Sequence, residues 1–135
     1  MSQKRSIAFC LFGALVVMGA LLVAGCATTR PPENLACDTD IRWDVASEAQ
    51  INQFACTLEG DTLTFAAEVQ NVSDTPQRFR LNIFLLDQDR AAGHLIPRKG
   101  DPPVVAPDQS ESVEVPFFKT ATMPKQVEVI VSIIE

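Results

Sequence analysis

The chain has 135 residues, 47% of them hydrophobic, and a formal net charge of −6. That length suits one domain with one core, and the acidic balance excludes the electrostatic footprint of a general nucleic-acid binder. A single histidine, His94, excludes a histidine-rich metal site.

The apolar residues are unevenly spread. Lys4 and Arg5 precede Ile7 to Ala24, a run of 18 residues without a charge. A basic start, an apolar middle and small residues at a processing point are the parts of an export signal. The stretch Leu22-Val23-Ala24-Gly25-Cys26 resembles the lipobox of bacterial lipoproteins, whose cysteine is acylated and becomes the new N-terminus. The resemblance implies a cleaved signal peptide over 1–25 and a lipid on Cys26. It also implies two partners, the bilayer itself and the lipoprotein processing and sorting machinery. Ala27 stands where an aspartate would mark retention at the inner membrane, so the same resemblance implies an outer membrane, facing the periplasm. The competing reading is a retained single span, because 18 residues sit at the lower edge of a membrane helix. Both readings export the domain C-terminal to the run.

Without residues 1–25 the chain has nine basic and 17 acidic side chains, a net charge of −8. Such a balance disfavours nucleic acid and anionic lipid headgroups as nonspecific partners. The cysteines divide economically: Cys10 leaves with the signal and Cys26 takes the lipid. Cys37 and Cys56 remain for a disulfide in an oxidising compartment. The loop they close, of about 20 residues, contributes roughly 3 kcal/mol in the chain-entropy model. A metal site is not expected at this pair, which lacks two further Cys or His ligands.

Residues 26–34 read as a lipidated tether, extended by Pro31 and Pro32. A β-sandwich domain is expected over 35–135. Ile41, Trp43 and Val45 alternate with polar neighbours, and Phe54, Cys56 and Leu58 share a looser phase. Between them, Ala46 to Gln53 offers the only weak helical turn. Gly60-Asp61 reads as a tight turn before Leu63, Phe65, Ala67 and Val69, which share one face of the next strand. Asn71 to Pro76 interrupts with turn formers. In the strand Arg78 to Asp87, Phe79, Leu81, Ile83 and Leu85 are in phase. Phe84 and Leu86 are apolar on the other phase, so this strand is expected to be central and covered on both faces near its end.

Gln88 to Pro107 is polar and proline-rich, with short extended pieces at His94-Leu95-Ile96 and Val104-Val105. Asp108-Gln109 turns into Ser112 to Phe118, and Gln126 to Ile134 closes the chain with Val127, Val129, Val131 and Ile133 pointing inward. About seven short strands with frequent turns predict an all-β fold, an immunoglobulin-like or fibronectin-type antiparallel sandwich. A small closed barrel is the alternative.

Three segments carry a further likeness: Asn71-x-Ser73-Asp74-x-Pro76, Ile83-Phe84-Leu85-Leu86-Asp87, and Ala106-Pro107 ahead of Val113-x-Val115. They are similar to the YcfL-like and FxLYD-type groups of bacterial envelope lipoproteins and sandwich domains. The likeness spans roughly Leu63 to Ile134. It implies a fold and an envelope location, and it transfers no catalytic residue.

The chemical inventory is thin. A Ser-His-Asp triad would have to use His94, no G-x-S-x-G elbow surrounds a serine, and no cofactor is implied. Asp87, Asp89, Asp101 and Asp108 lack EF-hand spacing, and aspartates in turns also serve the local backbone. Alternation sends Phe117 inward and Phe118 outward, unless a second small core lies beneath the loop. Phe118 and His94 are therefore the candidate partner surface. The expectation is a non-enzymatic binding or assembly module for an unidentified envelope protein. Its rivals are a carrier with a cavity between the sheets, lined by residues such as Phe65 and Ile83, and a small envelope enzyme using His94 and loop acids.

Overall fold

A computed structural model describes residues 31–135. The signal over 1–25 and the lipidation position Cys26 lie outside the described residues. Eight strands occur in order: β1 (Asn34–Ala36), β2 (Asp40–Val45), β3 (Ala49–Glu59), β4 (Thr62–Asn71), β5 (Arg78–Leu85), β6 (Arg90–Ile96), β7 (Ser110–Phe117) and β8 (Gln126–Ile134). They form two four-stranded sheets, ordered β1-β3-β4-β7 and β2-β8-β5-β6. The molecule is an all-β sandwich.

Period two builds the core. Leu63, Phe65, Ala67 and Val69 of β4 are buried, and so are Phe79, Leu81, Ile83 and Leu85 of β5 and Val127, Val129 and Val131 of β8. Ile133, read as inward, is only half-buried, because it sits where β8 runs out at the end of the sheet. Gly60 opens the two-residue turn between β3 and β4 with φ of 61°. Glycine takes that left-handed backbone without a Cβ penalty.

The two sheets share a line of aromatic rings. Trp43 meets Phe54 edge-on with centroids 5.0 Å apart, Phe54 lies 5.7 Å from Phe65, and Phe65 lies 5.7 Å from Phe117. The line starts on an edge strand of one sheet and crosses three strands of the other. The two edge-on pairs, Trp43–Phe54 and Phe65–Phe117, each add about 0.5–1.5 kcal/mol beyond area burial.

Several local expectations are corrected. Ala46 to Gln53 is not a helical turn, because Ala49 to Gln53 opens the 11-residue strand β3. A bulge between Ile51 and Gln53 places the inward residues Ile51 and Phe54 three apart. One extra residue flips the phase of everything after it, so the stretch imitated helical spacing. The 88–107 segment contains the full strand β6, and His94-Leu95-Ile96 is its last part. Val105 makes a single bridge to Gln77. Strand β5 is central, but its far face is not covered: Phe84 is half-buried and Leu86 is 42% exposed.

The N-terminal strands bring the only parallel pairings among the described residues, β1 with β3 and β2 with β8. The chain changes sheet between them, at Cys37 to Thr39. That crossing is fixed twice: the Cys37–Cys56 disulfide ties it to β3, and the Thr39 hydroxyl donates to the Pro124 carbonyl at 2.6 Å. The last residue assigned to the tether, Asn34, is already the first residue of β1.

The sandwich has two distinct ends. One gathers the Gly60-Asp61 turn, the Leu86 to Asp89 turn and the segment from Phe118 to Lys125. These are tied by Thr120 N–H to the Asp61 carbonyl at 2.7 Å and by Asp87 to the Lys125 amide at 2.9 Å. The other gathers the turn after Asn71, the 97–109 loop and the end of β8.

Candidate partner surface

At the Gly60 end, β7 delivers Phe117 into the core and then Phe118 outward. Phe118 is 62% exposed, the most exposed of the large hydrophobic side chains among the described residues. Its backbone is nevertheless held firmly. Arg90, the first residue of β6, donates to the Phe118 carbonyl at 2.6 Å and to the Thr120 hydroxyl at 2.6 Å, with a longer bond to the Lys119 carbonyl at 3.4 Å. The buried Thr120 hydroxyl in turn donates to the Phe117 carbonyl at 3.0 Å. The Arg90 guanidinium lies 5.5 Å from the Phe117 ring centroid, extending the aromatic line by a cation–π contact.

Lys119, next to Phe118, has φ of 56°. That left-handed conformation is uncommon for a residue with a side chain, and it persists where the surroundings over-determine it. The surroundings here are the Arg90 donors on the carbonyls of both Phe118 and Lys119. The result is an apolar ring presented to solvent on a fixed backbone.

His94 is placed elsewhere. It pairs with Leu81, four residues along β6 from Arg90, or roughly 13 Å of strand. It is half-buried, and its Nδ1 lies 2.9 Å from the Leu95 carbonyl oxygen. The structure therefore separates the two residues that the sequence grouped. No carboxylate or hydroxyl among the described residues is hydrogen-bonded to the His94 ring.

The turn acids are spread between the ends. Asp87 accepts the Lys125 and Gln126 amides, and these donors, Lys125 first, hold its carboxyl below the usual carboxylate range. Asp89 and Asp108 occupy left-handed turn positions, with φ of 54° and 66°. Asp101 and Asp108 sit at the Asn71 end, away from Asp87 and Asp89. Among the described residues, no three His, Cys, Asp or Glu side chains are grouped as metal ligands.

Phe65 and Ile83 are buried in the core. A groove of about 460 Å³ lies on the outer face of the first sheet, over Ala55 and Ala66 and between Gln53, Glu68 and Glu114. It is open to solvent and does not lie between the sheets.

Sequence reasoning missed Arg90 and Thr120. Their partners lie about 30 residues away in the chain, and neither stands in a motif. It also missed how much the other end depends on Asn71. That side chain is fully buried and donates to the Thr75 and Val105 carbonyls, both at 2.8 Å. It also accepts from the Ser73 amide at 2.9 Å and the Ser73 hydroxyl at 2.6 Å. Its place in a run of turn formers was the available signal.

No protein-family model and no curated protein matches this chain.

Proposed function

We propose that the chain is an envelope lipoprotein, acylated at Cys26 and held at an outer membrane facing the periplasm. Its sandwich acts as a non-enzymatic binding or assembly module for another envelope protein. The observation that carries the binding reading is Phe118, an exposed aromatic on a backbone fixed by Arg90 and Thr120. Aromatic anchors on ordered backbones are the usual centres of protein interfaces, because little conformational entropy is lost when they dock. The export reading is supported by the Cys37–Cys56 disulfide, which belongs to an oxidising compartment.

A photo-crosslinking residue at position 118, introduced in intact cells, tests the reading, with the same probe at Glu114 on the outer sheet face as control. Capture of one specific envelope protein from position 118 alone is the expected result. In an Arg90→Met background, which leaves the probe at position 118 in place but frees its backbone, capture should fall several-fold. Equal capture from both positions would remove Phe118 from the proposal.

A further inference from the structure

We infer that the Asn71 end of the sandwich faces the bilayer and that anionic phospholipid headgroups bind its cations Arg78, Arg80, Arg98 and Lys99. The inference rests on the reading of Cys26 as the lipid anchor.

Chain length carries the first half. Eight peptide steps lead from Cys26 to Asn34, a reach of at most about 28 Å. Strand β1 runs parallel to β3, with Asn34 opposite Gln53, and β3 begins at Ala49 opposite Asn71. The chain therefore enters from the Asn71 end. From Asn34 back to that end is about 13 Å of strand, which leaves about 15 Å between the Asn71 end and the anchor. Reaching the Gly60 end instead would require reversal immediately before Asn34 and a further 20 Å or so alongside β3 up to Glu59. Pro31 and Pro32 favour extended backbone at that point.

Charge carries the second half. The chain is acidic as a whole, yet four of its cations lie together on one flank of this end. Arg78 donates to the Pro97 and Arg98 carbonyls, which draws the start of β5 against the loop after β6. Arg80 comes two residues on along the same face, and Arg98 and Lys99 lie in the loop itself, Lys99 exposed. Acids share this end, Glu48 and Asp74 beside the Asn71 turn and Asp101, Asp108 and Glu135 in the loop and after β8, but none of them pairs with these cations. The one ion pair among the described residues joins Arg42 to Glu128, at 3.8 Å. Val104 and Val72, 37% and 41% exposed, project from the loop and the adjoining turn. Unpaired cations beside exposed apolar groups are the chemistry of a membrane-surface contact. The overall negative charge argued against this partner, and the local segregation argues for it.

Trypsin provides the test, because Arg98 and Lys99 are cleavage sites at one end and Lys119 is an exposed site at the other. The full acylated chain is reconstituted in vesicles of phosphatidylcholine alone, or with about one-third phosphatidylglycerol. Cleavage after Arg98 and Lys99 should slow about tenfold on the anionic vesicles relative to Lys119, and high salt should restore it. Replacing Arg80 with glutamine should weaken that protection about fivefold, the effect of one surface cation. Equal cleavage on both vesicle types, with acyl chains on Cys26 verified by mass, would overturn the inference while leaving the anchor intact. A mature mass that still begins at Met1 would overturn the anchor itself and the inference with it.

Discussion

Replacing Asn71 tests whether one buried amide organises the end of the sandwich that carries the 97–109 loop. Asn71→Ala removes four hydrogen bonds at once. Two of the groups left behind have another partner: the Val105 carbonyl still accepts from the Gln77 amide, and the Ser73 hydroxyl, released from Asn71, can turn its one proton to the Thr75 carbonyl 2.9 Å away. The Ser73 amide is orphaned. With the two doubly bonded carbonyls discounted, the two Ser73 bonds at about 0.5–1 kcal/mol each and about 1–3 kcal/mol for the orphaned donor give a loss of about 2–5 kcal/mol. For a domain of this size that corresponds to a melting temperature lower by about 10–25 °C.

Asn71→Asp sharpens the argument, because it keeps the shape and exchanges the donor for a carboxylate. The new oxygen would face two carbonyl oxygens across the 2.8 Å now spanned by N–H groups. An uncompensated buried charge costs about 3–5 kcal/mol. Burial and the facing carbonyls would raise the folded-state pKa of that carboxyl above its unfolded value. The folded state then binds more protons, so stability rises as pH falls toward the carboxylate range. Trp43, the only tryptophan, is 6% exposed and packs edge-on against Phe54, so its fluorescence during urea unfolding reports the whole core. The reasoning is refuted if Asn71→Ala stays within about 0.5 kcal/mol of the parent. It is refuted equally if Asn71→Asp matches Asn71→Ala at neutral pH and gains nothing on acidification.

Two other perturbations act on contacts of the same fold. Replacing both Cys37 and Cys56 with serine should lower unfolding stability by about 3 kcal/mol, read as a shift in urea midpoint between oxidised parent and variant; an unchanged midpoint would mean that the bridge does not constrain the unfolded chain. Asp87→Asn should abolish one acid-dependent increment: the depressed carboxyl stabilises the fold at neutral pH, and that contribution is lost as pH falls through its folded-state pKa. Urea midpoints of parent and variant should converge in acid, and a constant gap across the titration would show that the Lys125 and Gln126 amides do not depend on its charge.

Strands whose inward side chains are large and unbroken were legible. β4, β5, β7 and β8 each place apolar residues at every second position, and all but Ile133 at the end of β8 are buried where the phase predicts. Strand β3 was half legible, because the bulge after Ile51 moves Phe54 to the phase it needs to meet Trp43 and Phe65. A bulge has no composition of its own here, so the spacing of Ile51 and Phe54 read as a turn of helix. Strand β6 was hidden for a different reason. Ala91, Ala92 and Gly93 offer no hydrophobic alternation, and the strand exists because β5 supplies a ladder across seven residues. At Gly93 a Cβ would lie 2.7 Å from Asn82 Oδ1. That oxygen ends a half-buried side chain that can turn aside, so the glycine weakens the sequence signal without being required by the packing. Phe84 and Leu86 misled in the opposite direction, since apolar side chains on an outer sheet face look like core until the covering layer is found to be missing.

The candidate site was legible only at its tip. Alternation alone sends Phe118 outward, and an exposed aromatic is weak evidence by itself. Its weight comes from Arg90, which lies on the other sheet and directs its charge to the carbonyls around Phe118 rather than to an acid. The same guanidinium serves the fold, lying over the buried Phe117 ring, and fixes the backbone that carries Phe118. A backbone ordered in advance would lower the entropic cost of docking a partner at Phe118. If the loop were only a connection between β7 and β8, loosening it through Arg90→Met would change stability and nothing else. If it is a presented surface, the same change costs binding out of proportion to stability, and the ratio of the two losses decides between them.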